Sequence, residues 1–277
     1  PYKTFMKSLF LVPFMLPSFI GALAWKMLLS PHSGYINKLW MDMFNTTEPL
    51  FNIYSYAGIA LVEVMYLFPF VFIQVCGALE RMDPTLEESA RISGAGLLTI
   101  TRKITIPLVL PSIMSGALLI MLYSMAHFGT VAVLGIEQGI YNIPTLIYEK
   151  IHQSAGSFAS IRTGTVLATV LIASAALIIW TQQKILSRGH YQIIGGKSFR
   201  PMELKLRGLR YPLLIFCLAY IGFTIVLPTV VIFLVGGVQT YGLSILDPNN
   251  LSLDNYKYIL FEYDVTRDAI WNSVTLG

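Results

Sequence analysis

The side chains able to do chemistry in this 277-residue sequence are few and widely spaced. Glu63 lies in the middle of a long apolar stretch, 55–79, which also carries Gln74. An ionisable group at the centre of such a stretch is costly and marks a functional position by default. Two roles are open to Glu63. It lines a path through an apolar bundle, or it faces the bundle interior as a carboxyl held by hydroxyls. His127 falls near the end of another apolar stretch, 108–130, and small residues follow it, which suits a gate near a membrane face. It has no companion at metal-ligand spacing. Cys76 and Cys217 both sit inside apolar stretches, where a cysteine packs as a small residue. The run Gly195-Gly196-Lys197-Ser198 has the tail of a phosphate loop, but the glycine such a loop requires falls at Tyr191. Gly94-Ala95-Gly96 lacks the third glycine and the preceding strand of a dinucleotide fingerprint. No nucleophile–base set and no metal cluster can be read from the spacing, so neither a catalytic residue nor a cofactor is expected.

The densest information lies between two apolar stretches, in DPTLEESARISGAGLLTITRKITIPLVLP, residues 83–111. Asp83 is placed to N-cap a helix, Pro84 suits its first position, and Glu87 and Glu88 fall in turns where the helix dipole favours acids. Leu86, Ala90 and Leu97 recur at near-helical spacing. Gly94 and Gly96 then interrupt the helix or allow a close backbone approach. A second short helix over 97–105 leads to Ile106-Pro107 and the next apolar stretch. The segment therefore reads as two short helices at a membrane face, joined at glycines.

The elements that must position these residues follow from composition. Hydrophobic residues make up 55% of the chain and charged residues 12%, with a mean hydropathy of +0.65. Soluble domains carry about a quarter charged residues, so too little polar surface is present to face water. A helix needs about 20 mostly apolar residues to cross a bilayer. Five stretches qualify, 8–29, 55–79, 108–130, 164–186 and 211–236, and a sixth begins near Ala269. Pro13, Pro17, Pro69, Pro111 and Pro228 fall within them, which a membrane bundle tolerates because neighbouring groups re-satisfy the freed carbonyls. Trp25, Tyr54, Tyr56, Trp180 and Tyr211 sit near the ends of stretches, as an interfacial belt would. Twelve Lys and Arg fall in 1–7, 80–107 and 187–210, against five in 30–54, 131–163 and 237–268. The positive-inside rule puts the first group in the cytoplasm. That asymmetry accounts for the net charge of +4 without nucleic-acid binding. The first residue is Pro, and the last falls inside an apolar run, so the chain is expected to be an internal piece of a longer product.

Residues 83–107 resemble the EAA loop of binding-protein-dependent ABC importer permeases. That pattern is Glu-Ala-Ala, three residues, Gly, nine residues, then Ile-x-Leu-Pro. Here it runs Glu88-Ser89-Ala90, three residues, Gly94, nine residues, then Ile104-Thr105-Ile106-Pro107, departing only at Ser89 and Ile106. The resemblance implies that this helix docks on an ABC ATPase dimer and passes its closure to the spans. Glu88 and Arg91 would then form charge-assisted hydrogen bonds to the partner, and Gly94 would permit close approach. An amphipathic helix resting on the bilayer is the alternative for the same residues.

The resemblance extends further. VPFMLPSFIGALAWKMLLSPHSGYIN (12–37), HFGTVAVLG (127–135), the basic linker HYQIIGGKSFRP (190–201), LSLDNYKYIL (251–260) and WNSVTLG (271–277) are similar to fused two-unit permeases of the ferric-iron type. The fold so implied is all-α, a polytopic transmembrane bundle of the type I importer kind, with five full spans and the start of a sixth. Residues 1–187 would be the C-terminal part of a first permease unit, 188–210 a cytoplasmic linker and 211–277 the start of a second unit in the same full-length chain. Ferric iron is the leading substrate, with thiamine, polyamines and phosphonates as alternatives. An extracytoplasmic binding protein would deliver it, docking where Asn142 caps an amphipathic helix over 142–152. A helix that merely plugs the bundle mouth is the other reading of that segment. From a different class, a secondary transporter or channel would need no ATPase and would need charges along its path, of which Glu63 is the chief one.

Overall fold

An apolar chain in hydrocarbon must satisfy its backbone internally, and this one does so with helices. The computed structural model describes residues 2–153, 158–188, 208, 210–240 and 248–276. In chain order the helices are α1 (Tyr2–Met15), α2 (Ser18–Leu29), α3 (Tyr35–Phe44), α4 (Tyr56–Arg81), α5 (Pro84–Ile92), α6 (Leu97–Ile100), α7 (Ile106–Ala126), α8 (Gly129–Leu134), α9 (Ile143–Gln153), α10 (Phe158–Arg188), α11 (Arg210–Ile221), α12 (Leu227–Gly236), α13 (Asp254–Lys257) and α14 (Asp264–Leu276). Among the described residues the one extended pairing is a bridge between Val238 and Leu251.

Among the described residues, four helical runs are long and apolar enough to cross a membrane: Tyr56–Arg81, Leu97–Ala126, Phe158–Lys184 and Tyr211–Gly236. They coincide with four of the five expected spans. The fifth, 8–29, is broken, with α1 and α2 meeting at 82°. Pro17 explains the break, because proline disfavours helical geometry at the preceding residue, here Leu16. Residues 269–276 lie in α14, 13 residues long. Of the linker 188–210, only Arg188, Gly208 and Arg210 fall among the described residues, and the Gly195–Ser198 run lies outside them.

Two other prolines are absorbed without breaking a helix. Pro107 has no N–H for the carbonyl of Lys103, and Pro228 has none for that of Thr224. In both places the preceding turn widens to a π turn, Thr101–Thr105 and Gly222–Val226. The Ile106 amide then reaches five residues back to the Thr101 carbonyl, and the Leu227 amide reaches Gly222. The short helix expected over 97–105 is therefore continuous with α7 rather than separate from it.

The chain divides into two compact units, 1–22 with 54–219, and 23–53 with 220–277. In the first, α4 is the central helix and packs against α1 and α7, while α10 packs against α7 and α9. Val62, Glu63, Met65, Tyr66, Leu67 and Pro69 of α4 are buried. The α4–α7 contact is close because Gly116 faces the backbone of Val71; a Cβ there would stand 2.9 Å from the Val71 Cα. Gly21 likewise leaves room for the Tyr66 ring. In the second unit Asn37, fully buried, donates to the carbonyls of Leu29 (3.0 Å), Ser30 (3.0 Å) and Phe51 (2.8 Å) and accepts from the Phe51 amide. Trp25, expected at an interface, is instead fully buried, its ring 4.8 Å from that of Phe223. Tyr56, Trp180 and Tyr211 are exposed, as a belt requires.

Gly116→Leu should force α4 and α7 apart and destabilise the detergent-purified protein by about 1–3 kcal/mol, the usual scale of overpacking. A thermal unfolding midpoint equal to wild type would contradict this account of the α4–α7 contact.

Candidate functional site

The loop between α4 and α7 is built from local rules. Asp83 caps α5 by accepting from the Thr85 amide at 2.9 Å, and Pro84 opens the helix. At the far end the Gly94 amide bonds the Arg91 carbonyl and the Ala95 amide bonds the Ala90 carbonyl, both at 2.9 Å. This paired closure needs a left-handed residue at its first position, and Gly94 has φ +82°. Among the described residues a Cβ at Gly94 would meet nothing within 4 Å, so its glycine is required by conformation and not by space. Glu88, Ser89, Arg91 and Pro107 are exposed, while Ala90 and Ile104 are half-buried. Two apolar side chains stand almost fully in the open beside them, Ile92 at 89% and Leu98 at 82% exposure.

Glu87 behaves differently from its neighbour Glu88. It is buried and accepts a hydrogen bond from Thr105 Oγ1 at 2.7 Å. The sequence marks Glu87 only as an acid in a first turn. Adjacent helical residues point about 100° apart, and which of two acids faces inward is decided by packing.

The second cluster gathers residues far apart in sequence. Glu63 Oε1 lies 2.7 Å from His127 Nδ1, and Ser124 Oγ donates to Glu63 Oε2 at 2.5 Å. His127 Nε2 lies 2.6 Å from Ser18 Oγ, at the start of α2. Nδ1–H donating to the Glu63 carboxylate satisfies both contacts, with the Ser18 hydroxyl either donating to Nε2 or accepting from it. α7 ends at Ala126, short of the expected residue 130, because His127 turns to an extended conformation with ψ 124°. Its carbonyl is taken by Asn142 Nδ2 at 2.5 Å. Glu63, Ser124 and Asn142 also face a cavity of about 650 Å³, whose other walls include Leu67, Val71 and Ile120.

The sequence singles out Glu63 and His127 separately; the structure joins them, and adds Ser18 and Ser124, which carried no sequence signal. Hydroxyl, imidazole and carboxylate stand in the order of a hydrolase relay. Here, however, the members close hydrogen bonds among themselves beside a largely aliphatic cavity. That is the arrangement of a clasp, tying the starts of α2 and α9 and the end of α7 to the middle of α4.

Asn142 does cap α9. The Thr145 amide donates to Asn142 Oδ1 at 3.1 Å, and the Asn142 amide donates to Thr145 Oγ1 at 3.0 Å. Ile147 and Ile151 of α9 approach Gly164 of α10, and Ile147 is half-buried there while Ile151 stays exposed. Tyr148 is left outward, its ring against those of Phe128 and His152. Nearby, a hydrogen bond to the Glu149 carboxylate pushes the Tyr141 hydroxyl above the usual tyrosine range.

Residues 1–189 match a family described as binding-protein-dependent transport system inner membrane component. The chain belongs to this family. It is a helical, multi-pass permease of the bacterial inner membrane. Similar proteins include the ferric transport system permease protein FbpB of Actinobacillus pleuropneumoniae, 27% identical over 206 residues, covering 74% of this chain and 29% of that one. The spermidine/putrescine transport system permease protein PotB of Escherichia coli is 28% identical over 194 residues, covering 68% of each. A putative 2-aminoethylphosphonate transport system permease protein, PhnU of Salmonella typhimurium, is 30% identical over 136 residues, covering 49% of this chain and 47% of that one. The permease described here spans under a third of the ferric relatives' length, 29% and 31%.

In this permease, replacing Glu63 or His127 with Ala should each lower stability, and the double replacement should cost less than their sum. A double-mutant cycle in denaturant should give a coupling of about 0.5–3 kcal/mol. Strict additivity would mean that the two side chains do not support one another.

Proposed function

We propose that this chain is the ATPase-coupled part of an ABC importer permease, which forms the substrate path while a separate subunit hydrolyses ATP. The exposed α5, ended by Gly94 in the left-handed conformation, is the observation that carries the reading. It offers Glu88, Ser89 and Arg91 to a partner, flanked by the open apolar side chains of Ile92 and Leu98. Ala90, Ile104 and Pro107 complete the EAA-type spacing along the same segment. Charge-assisted hydrogen bonds around an apolar contact suit a groove on an ATPase dimer. The charge asymmetry of the loops supports a cytoplasmic position for this segment.

On this reading an extracytoplasmic binding protein delivers substrate to the opposite face, near α9. Residues 1–187 belong to one permease unit and 211–277 begin a second, carried by the same full-length chain and joined through the linker 188–210. Nucleotide-driven closure of the ATPase shifts the balance between inward- and outward-facing states by binding one of them better. Glu63 and His127 stand beside the path, and opening their clasp belongs to the change of state.

Ferric iron is the substrate of this reading, supported by motif similarity and by the FbpB relatives. Polyamine import is the second reading, favoured because the PotB alignment covers 68% of both chains. Thiamine and phosphonates remain within the same importer class.

The test is uptake of labelled ferric iron, putrescine and 2-aminoethylphosphonate by cells carrying the full-length gene, its binding protein and its ATPase. A side chain in the left-handed region costs about 1–2 kcal/mol, and Asn bears this better than other residues. Gly94→Asn should therefore retain most uptake. Gly94→Trp should lose at least about tenfold, which 1.4 kcal/mol produces, with membrane insertion intact. Normal uptake in Gly94→Trp would sink the coupling role and favour a transporter or channel that works without an ATPase.

A further inference from the structure

Little side-chain burial holds α5 in place. Of its nine residues, Pro84–Ile92, one is buried, and that one is Glu87. Its carboxylate accepts the hydroxyl of Thr105 at 2.7 Å, across 18 residues of sequence. The covalent connection is closed by its own backbone hydrogen bonds but adds no packing at its glycines. Between α5 and α6 lie Ser93-Gly94-Ala95-Gly96, and a Cβ at either glycine would meet nothing within 4 Å. The Glu87–Thr105 bond is therefore the side-chain route from α5 to the helix that continues into α7.

Thr105 is also the mechanically weak point of the helix it belongs to. It closes the π turn Thr101–Thr105, and Pro107, two residues on, has no amide for the Lys103 carbonyl. π turns inside α-helices recur at functional positions because the local ladder is already irregular there. The inward face of α5 therefore grips the apolar run Leu97–Ala126 where its ladder is most easily re-registered.

We propose that Glu87 and Thr105 are the joint through which movement of α5 reaches α7, with the π turn as the hinge. The two adjacent acids divide the work: Glu88 faces outward to the partner, and Glu87 faces inward to the permease's own spanning helix. Both are positioning residues, since neither touches the solute. The inference rests on the ATPase-coupled reading above.

The experiment uses the full-length permease, co-purified with its ATPase, in proteoliposomes supplied with binding protein. ATP hydrolysis is measured alongside uptake of whichever labelled solute the wild type takes up among ferric iron, putrescine and 2-aminoethylphosphonate. Thr105→Val keeps shape and removes the donor. It should retain the ATPase at wild-type stoichiometry and continue to hydrolyse ATP, while solute taken up per ATP falls about tenfold, the scale of one hydrogen bond to a charged group. Thr105→Ser keeps the donor and should hold the wild-type ratio to within about twofold. Glu87→Gln keeps a neutral, weaker acceptor and should fall about threefold, between Thr105→Ser and Thr105→Val. A wild-type ratio in Thr105→Val overturns the joint. So does loss of the ATPase from Thr105→Val, since the pair would then serve only to place α5. Absence of the ATPase from the wild-type complex overturns the coupled reading itself, and with it this inference.

Discussion

A backbone carbonyl in hydrocarbon that loses its helical donor has no water to turn to. Leaving it unpaired costs several kcal/mol, so the protein must supply a substitute at every interruption. This constraint organises the permease. Its helices are interrupted at prolines and at His127, and the interruptions are repaired in three ways. At Pro107 and Pro228 the ladder slips to a five-residue reach and the helix continues. At Pro17 the helix ends, and the Pro13 carbonyl, which Pro17 cannot serve, accepts from the Leu16 amide at 3.3 Å instead. At His127 the helix also ends, and a side chain, Asn142, takes the freed carbonyl.

The functional candidates are found at these repairs. Ser18 stands immediately after the Pro17 break and His127 at the α7 break, and Glu63 of the unbroken α4 is hydrogen-bonded to the imidazole that joins them. Thr105 stands at the end of a π turn and carries the hydrogen bond to Glu87. An irregular backbone is where an element bends or re-registers, and a polar side chain beside it decides which geometry is favoured. Burial sharpens the effect, because a buried polar group left without its partner costs more than the bond itself contributes.

Much of this was legible in the sequence, for identifiable reasons. Spans announce themselves through sustained apolar length. The Asp83 and Asn142 caps and the Gly94 terminus obey local rules that need no tertiary information. The rest was hidden because packing decides it. Ser18 and His127 are 109 residues apart, and nothing in either neighbourhood pairs them. Glu87 and Glu88 are chemically identical neighbours with opposite exposures. Trp25 looked interfacial from its place near a span end, yet it packs against Phe223, 198 positions further on. The 8–29 stretch was apolar enough to span, and hydropathy carries no record of an 82° bend.

The central claim is that α5 is a docking element for an ATPase and not a helix resting on lipid. A photo-reactive amino acid at Ile92, 89% exposed beside Arg91, tests it in native membranes holding the assembled complex. The account predicts an adduct with the ATPase subunit whose yield changes when nucleotide is added. Adducts with lipid alone, unchanged by nucleotide, would contradict it.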